Sequence, residues 1–147
     1  MSTRVLVVDD HPLVRKALAE ECRWLGCAVA TAANGAEALD LLDTFDPDII
    51  VLDLRMPVMD GREFAFHYRR RTHCQAVLVL LSAEDNVERI GQEMGADMCV
   101  SKQHPNAFRE TMALLLESPQ QRECRQDGFK PPAAGSEERS ERGSRSG

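Results

Sequence analysis

Apolar residues fall along this chain in two alternating patterns. Val5 to Val8, Ile49 to Leu52 and Val77 to Leu81 are short continuous runs, the pattern of strands covered by helices on both faces, and they predict the central strands of a sheet. Weaker, more broken runs at Ala28 to Thr31 and Met98 to Val100 predict flanking strands. Between the runs the spacing changes to i, i+3, i+4: Val14, Leu18, Cys22 and Leu25; Ala38, Leu41, Leu42 and Phe45; Phe64, Ala65 and Tyr68; Phe108, Met112 and Leu115. Each set draws one apolar stripe on a helix. Gly26, Gly95, Pro47 and Asn34-Gly35 supply the breaks between elements. A further helix over about 86–94 is the weakest, because Gly91 in its interior costs about 1 kcal/mol relative to alanine, and it is a candidate for motion. Strand and helix alternate five times, which predicts an α/β fold: a doubly wound, five-stranded parallel sheet with five helices.

Composition narrows the picture. The chain has 147 residues, 43% hydrophobic and 29% charged, enough for one sizeable core and too few for two ordinary domains. The pattern stops near Ser118. Residues 118–147 contain no Leu, Ile, Val or Met but three prolines, four glycines and five serines. They are expected to form a disordered polar C-terminal tail with no output domain, leaving a folded domain of about 1–117. The formal charge is -6; residues 1–117 hold 19 acidic and 12 basic residues, a balance of -7. That balance argues against coating nucleic acid or anionic membrane by bulk charge. No apolar stretch nears the roughly 20 residues of a membrane span, and no signal-peptide pattern opens the chain, so a cytoplasmic protein without membrane insertion is expected. Five scattered cysteines without a C-x-x-C pair indicate neither a disulfide framework nor a zinc site.

In an open parallel α/β sheet, ligands bind beyond the carboxyl ends of the strands. The residues read as following those ends are Asp9 and Asp10 after the first strand, Asp53 after the third, Ser82 after the fourth and Lys102 after the fifth. Three convergent carboxylates repel one another unless partly protonated or bound to a cation, and an oxygen-only ligand set favours Mg2+. A hydroxyl and an ammonium on the same rim suit phosphoryl oxygens. Taken singly, Asp9-Asp10 reads better as a turn and cap before Pro12, Ser82 as a cap of the fourth helix, and Asp53 or Lys102 as an ordinary surface residue. Five suitable side chains at four strand ends favour a site.

These residues resemble the receiver domain of bacterial two-component response regulators. Val7-Val8-Asp9-Asp10-His11-Pro12 is similar to that family's first acidic loop, and Asp53-Leu54-Arg55-Met56-Pro57-Val58-Met59-Asp60-Gly61 to its phosphoacceptor loop. Leu81-Ser82-Ala83, Gly95-Ala96-Asp97 and Ser101-Lys102 extend the likeness over about 1–117. The resemblance implies a flavodoxin-like (βα)5 fold. It implies phosphoryl transfer to Asp53 from a sensor histidine kinase or a histidine phosphotransfer protein. Mg2+ would be held by Asp10, Asp53 and the backbone carbonyl of Arg55, with Asp9 acting through water, while Ser82 and Lys102 stabilise the phosphoryl group. Such a protein is a switch with slow self-dephosphorylation rather than a turnover enzyme. Two positions depart from the family: Cys99 stands where a rotating Tyr, Phe or His is usual, and Gln103 where a proline usually follows the lysine.

A stand-alone receiver, acting by phosphorylation-controlled protein binding or phosphorelay and without direct nucleic acid contact, is therefore the expectation. Alternatives are a receiver module of a transcriptional regulator that works through a companion DNA-binding chain, and, less well matched, an Asp-nucleophile phosphatase. The haloacid-dehalogenase type of such phosphatases needs an aspartate two positions after the nucleophile, where this chain has Arg55. Arg69, Arg70 and Arg71 read as cations closing the third helix rather than as a nucleic-acid patch.

Overall fold

The computed structural model describes residues 2–71, 75–104 and 106–117. His73, Cys74, Pro105, Cys124 and the expected tail 118–147 lie outside them. The described elements alternate as predicted: β1 (Arg4–Val8), α1 (Pro12–Trp24), β2 (Ala28–Ala32), α2 (Gly35–Phe45), β3 (Ile49–Asp53), α3 (Gly61–Arg69), β4 (Val77–Ser82), α4 (Val87–Met94), β5 (Met98–Ser101) and α5 (Ala107–Leu116). The five strands form one parallel sheet in the order β2-β1-β3-β4-β5. The three continuous apolar runs occupy its centre and the two broken runs its edges. This is the flavodoxin-like topology, with its switch point between β1 and β3.

Strand pleating divides the core into two layers. Val5, Val7, Ile49, Val51, Val77, Val79 and Leu81 pack with Leu18, Cys22, Phe108, Met112 and Leu115 of α1 and α5. Leu6, Val8, Ile50, Leu52, Leu78 and Leu80 pack on the other face with Ala38, Leu42, Phe64, Ala65, Tyr68, Val87, Ile90 and Met94 of α2, α3 and α4. Every residue of β3 and β4 is buried, because helices cover both faces there. The central strands are thus apolar on both faces, and the buried polar side chains Asp53 and Ser82 stand at their carboxyl ends.

Several helix ends differ from their sequence reading. His11, not the aspartate pair, is the N-cap of α1, and its ring Nδ1 accepts from the Val14 N–H at 3.5 Å. Ser82 does not cap α4; Asn86 occupies that position, and Ser82 Oγ instead accepts the Glu84 N–H at 3.0 Å. The arginine triplet does more than close α3. Arg69 Nε donates to the Met94 carbonyl at the end of α4 (3.2 Å), Arg70 lies over the Phe66 ring and Arg71 pairs with Asp43.

Gly91 also needs a different account from the weak-helix one. It is buried, and a Cβ there would overlap Cys99 Sγ. Glycine at this position lets α4 approach β5, so its loss of helix propensity accompanies close packing.

Candidate functional site

The strands deliver the polar residues to one rim. Asp53 and Ser82 are the last residues of β3 and β4, not the first beyond them. Their backbones still pair, Asp53 with Leu81 and Ser82 with Ser101, since ladder hydrogen bonds are indifferent to side-chain polarity. Both side chains therefore project from sheet rather than loop. Asp9 and Asp10 follow β1, and Lys102 follows β5.

Asp9 is fully buried and every polar group it carries is engaged. Its N–H donates to the Ala32 carbonyl at 3.1 Å, and its own carbonyl accepts from Arg15 Nη1 at 2.9 Å. Carboxylate Oδ1 accepts the His11 N–H at 2.9 Å, and Oδ2 meets Lys102 Nζ at 3.1 Å. The same ammonium lies 3.0 Å from Asp53 Oδ1. Asp10 is exposed, yet one carboxylate oxygen from each of Asp9, Asp10 and Asp53 lies within 4.8 Å of the other two.

Three carboxylates against one ammonium leave an excess of two negative charges. Burial pushes the Asp53 carboxyl up to about 6; the Lys102 hydrogen bond opposes this, and the charges of Asp9 and Asp10 add to it. Burial disfavours the Lys102 ammonium, but its pairing with Asp53 and Asp9 prevails and holds its pKa above the ordinary value. A cluster of oxygen donors with two uncompensated charges fits a hard divalent cation such as Mg2+. Arg55 lies just beyond β3, with its side chain turned to Glu84; its carbonyl accepts no hydrogen bond from the described residues.

Gly61 fixes the loop beneath Asp53. Its N–H donates to the Leu54 carbonyl at 2.8 Å. A Cβ on it would lie 2.5 Å from the Asp53 carbonyl oxygen and 3.0 Å from Leu54 Cα, so only glycine permits this approach. Asp60 beside it caps α3 by accepting the Glu63 N–H at 3.0 Å. These roles explain why an Asp-Gly pair stands seven and eight residues after Asp53.

The sequence reading brought all five rim residues forward and missed what surrounds them. The Arg15 contact with Asp9 turns on how the start of α1 folds back on β1, while the Arg55–Glu84 pair and the contacts of Gln103 with Ala83 and Asp85 join residues far apart in sequence, and no local spacing marks any of them. Cys99, the atypical strand-five residue, is half-buried. It lies in a groove of about 630 Å3 between α4 and α5, beside Glu88 and His104.

Among the described residues, no helix is long and apolar enough to cross a membrane. Residues 5–113 match the response regulator receiver domain. Response regulator MprA of Mycobacterium bovis is 39% identical over 116 residues, which cover 78% of this chain and 50% of MprA; the chain thus spans about half the length of the curated relatives it matches. Among solved structures, chemotaxis response regulator CheY4 of Vibrio cholerae superposes with a TM-score of 0.71 at 29% identity, covering 78% of this chain and 99% of that one. Response regulator TrrA of Thermotoga maritima, solved in complex with Mg2+-BeF, gives 0.67 at 32% identity, with 78% and 98% covered. With its parallel sheet, its three rim aspartates and these likenesses, the chain belongs to the response regulator receiver domain family of two-component systems, whose members generally act as phosphoacceptor switches.

Proposed function

We propose that this protein accepts a phosphoryl group on Asp53 from the phosphohistidine of a sensor kinase or a histidine phosphotransfer protein. The observation that carries this reading is the meeting of Asp9, Asp10 and Asp53 within 4.8 Å, with Lys102 Nζ 3.0 Å from Asp53. Asp53, Asp10 and the Arg55 carbonyl would hold Mg2+, with Asp9 acting through water. Bound there, the ion would neutralise charge on the phosphoryl oxygens.

Asp53, with its pKa near 6, is largely ionised at neutral pH and serves as the nucleophile. One carboxylate oxygen forms a bond to phosphorus as the bond from phosphorus to the donor imidazole nitrogen breaks; the imidazole keeps that electron pair. Lys102 balances charge on the carboxylate and on the transferring group. Ser82 already accepts a hydrogen bond from Glu84 N–H, which leaves its hydroxyl proton to donate to a phosphoryl oxygen. Ala83 next to it is exposed and small, so water reaches the acyl phosphate and slow self-hydrolysis follows. The added charge of nearly two units at the rim biases the Ser82 loop and the surface beyond it.

The output is phosphorylation-controlled protein binding or phosphorelay through the surface of the receiver of about 1–117, located in the cytoplasm and making no direct contact with nucleic acid. A second reading rests on the length of relatives such as MprA, twice the matched stretch: a receiver module that works with a DNA-binding companion. Incubation with a phosphorylated kinase tests the shared core of both readings. An acid-stable, base-labile label is expected on the wild type and is lost in Asp53→Asn; no transfer from any histidyl or acyl phosphate donor overturns the proposal. A pull-down with and without an acyl-phosphate mimic separates the two outputs.

A further inference from the structure

The turn after β5, where Gln103 replaces the usual proline, makes contacts that proline could not. Gln103 Nε2 donates to the Ala83 carbonyl at 2.9 Å and to Asp85 Oδ1 at 3.3 Å. Its backbone N–H donates to Ser101 Oγ at 3.1 Å, which anchors the turn itself. One residue earlier, the Lys102 N–H donates to the Ser82 carbonyl at 2.9 Å. Residues 102–103 therefore grip the loop between β4 and α4 at Ser82, Ala83 and Asp85. On the opposite flank the loop meets Arg55 through Glu84, but that guanidinium is 78% exposed, and such pairs hold weakly in water.

The residue between the two that Gln103 holds is Glu84, and Glu84 N–H is the group that hydrogen-bonds Ser82 Oγ. A tether at Ala83 and Asp85 orients the Glu84 amide, and the Glu84 amide orients the Ser82 hydroxyl. We propose that Gln103 is a positioning residue, tying the β4–α4 loop to the Lys102 turn so that Ser82 is pre-set to donate when a phosphoryl group reaches Asp53. This role rests on Asp53 being the phosphoacceptor, and it couples the β4–α4 loop to the β5 end of the rim through the Gln103 side chain.

Gln103→Met preserves side-chain length and removes the donors at an exposed position. Three quantities are compared in the wild type, Gln103→Met, Asp85→Ala and the double variant: hydrogen exchange of the Glu84 amide without phosphate, the rate of phosphorylation by acetyl phosphate with Mg2+, and Mg2+ affinity. Gln103→Met is expected to speed Glu84 exchange about fivefold and to slow phosphorylation about three- to tenfold, the range for losing one or two hydrogen bonds. Mg2+ affinity stays within about twofold, because the three aspartates do not bond to Ala83 or Asp85. Asp85→Ala should add less in the Gln103→Met background than in the wild type. Unchanged Glu84 exchange, fully additive effects, or a rate loss matched by an equal loss of Mg2+ affinity would overturn the proposal. If the wild type is phosphorylated and Gln103→Met reacts at the same rate, the positioning role alone fails. If the wild type accepts no phosphoryl group from any donor, the phosphoacceptor reading fails and takes this role with it.

Discussion

The two halves of the rim are built differently. On the β1–β3 side, Asp9 and Asp53 are held by backbone: strand pairing, the His11 N–H, and a Gly61 that sits against the Asp53 carbonyl. On the β4–β5 side, Ser82 is strand-paired too, but the loop that follows it is set largely by side chains: Gln103 to Ala83 and Asp85, Glu84 to Arg55, and, behind it, Cys99 Sγ against Gly91. Backbone contacts leave one geometry, whereas side-chain contacts can be remade at small cost. Under the proposed function, a rim that holds a constant nucleophile and passes on a variable signal gains from dividing the two tasks in this way.

Adding one methyl group to each half tests the comparison. Gly61→Ala drives a Cβ into main chain at Asp53 and Leu54 and should cost about 3 kcal/mol in urea unfolding, with no single side-chain truncation restoring it. Gly91→Ala meets only the Cys99 sulfur at overlapping distance. It should cost about 1–2 kcal/mol, and Cys99→Ala in the same chain should recover most of that, helped by the better helix propensity of alanine. Equal rescue at both sites would erase the distinction.

The charge on the rigid half has its own signature. Burial, with the charges of Asp9 and Asp10, lifts Asp53 from 3.8 to about 6 against the pull of Lys102, so the folded metal-free protein binds this proton more tightly than the unfolded chain does. Stability from this group is greatest below about pH 4, falls as pH rises through 6, and stays low above it. In EDTA at pH 7, Asp53→Asn should therefore exceed the wild type by about 1–3 kcal/mol, at about 1.4 kcal/mol per pKa unit. The difference should close below pH 4 and shrink when Mg2+ is added, which would stabilise only the wild-type carboxylate.

A smaller effect is expected at Val58, a β-branched residue held at φ 69 in the loop after Asp53 and 81% exposed. That conformation strains it. Val58→Gly should raise the free energy of urea unfolding by up to about 1 kcal/mol, the relief being offset in part by the greater freedom of glycine in the unfolded chain. A loss of stability would mean that the side chain contributes more than its conformation costs.

The sheet was legible because the apolar runs of β1, β3 and β4 are continuous and those of β2 and β5 are broken, a direct imprint of central and edge burial. Strand ends were less so. The runs at Leu52 and Leu81 stop one residue before the strands do, since Asp53 and Ser82 are polar in side chain while their main chains still pair. The same polarity that hid the strand ends exposed the site, and Asp9, Asp10, Asp53, Ser82 and Lys102 stood out against apolar surroundings. Gly91 misled in the opposite way: its effect on helix propensity is local and visible, but the approach of α4 to Cys99 belongs to tertiary packing.

Sequence alone determined the alternation of strand and helix, the central strands and the identity of the rim residues, because burial periodicity and strand-end polarity are properties of neighbouring positions. Only the tertiary structure decided that Lys102 bridges Asp9 and Asp53, that Gly61 lies against the Asp53 main chain and that Gln103 holds the loop of Ser82. The Lys102 and Gln103 contacts join residues brought close by the parallel crossovers, and the Gly61 contact depends on how the β3–α3 loop folds back on the strand end, which local spacing does not record.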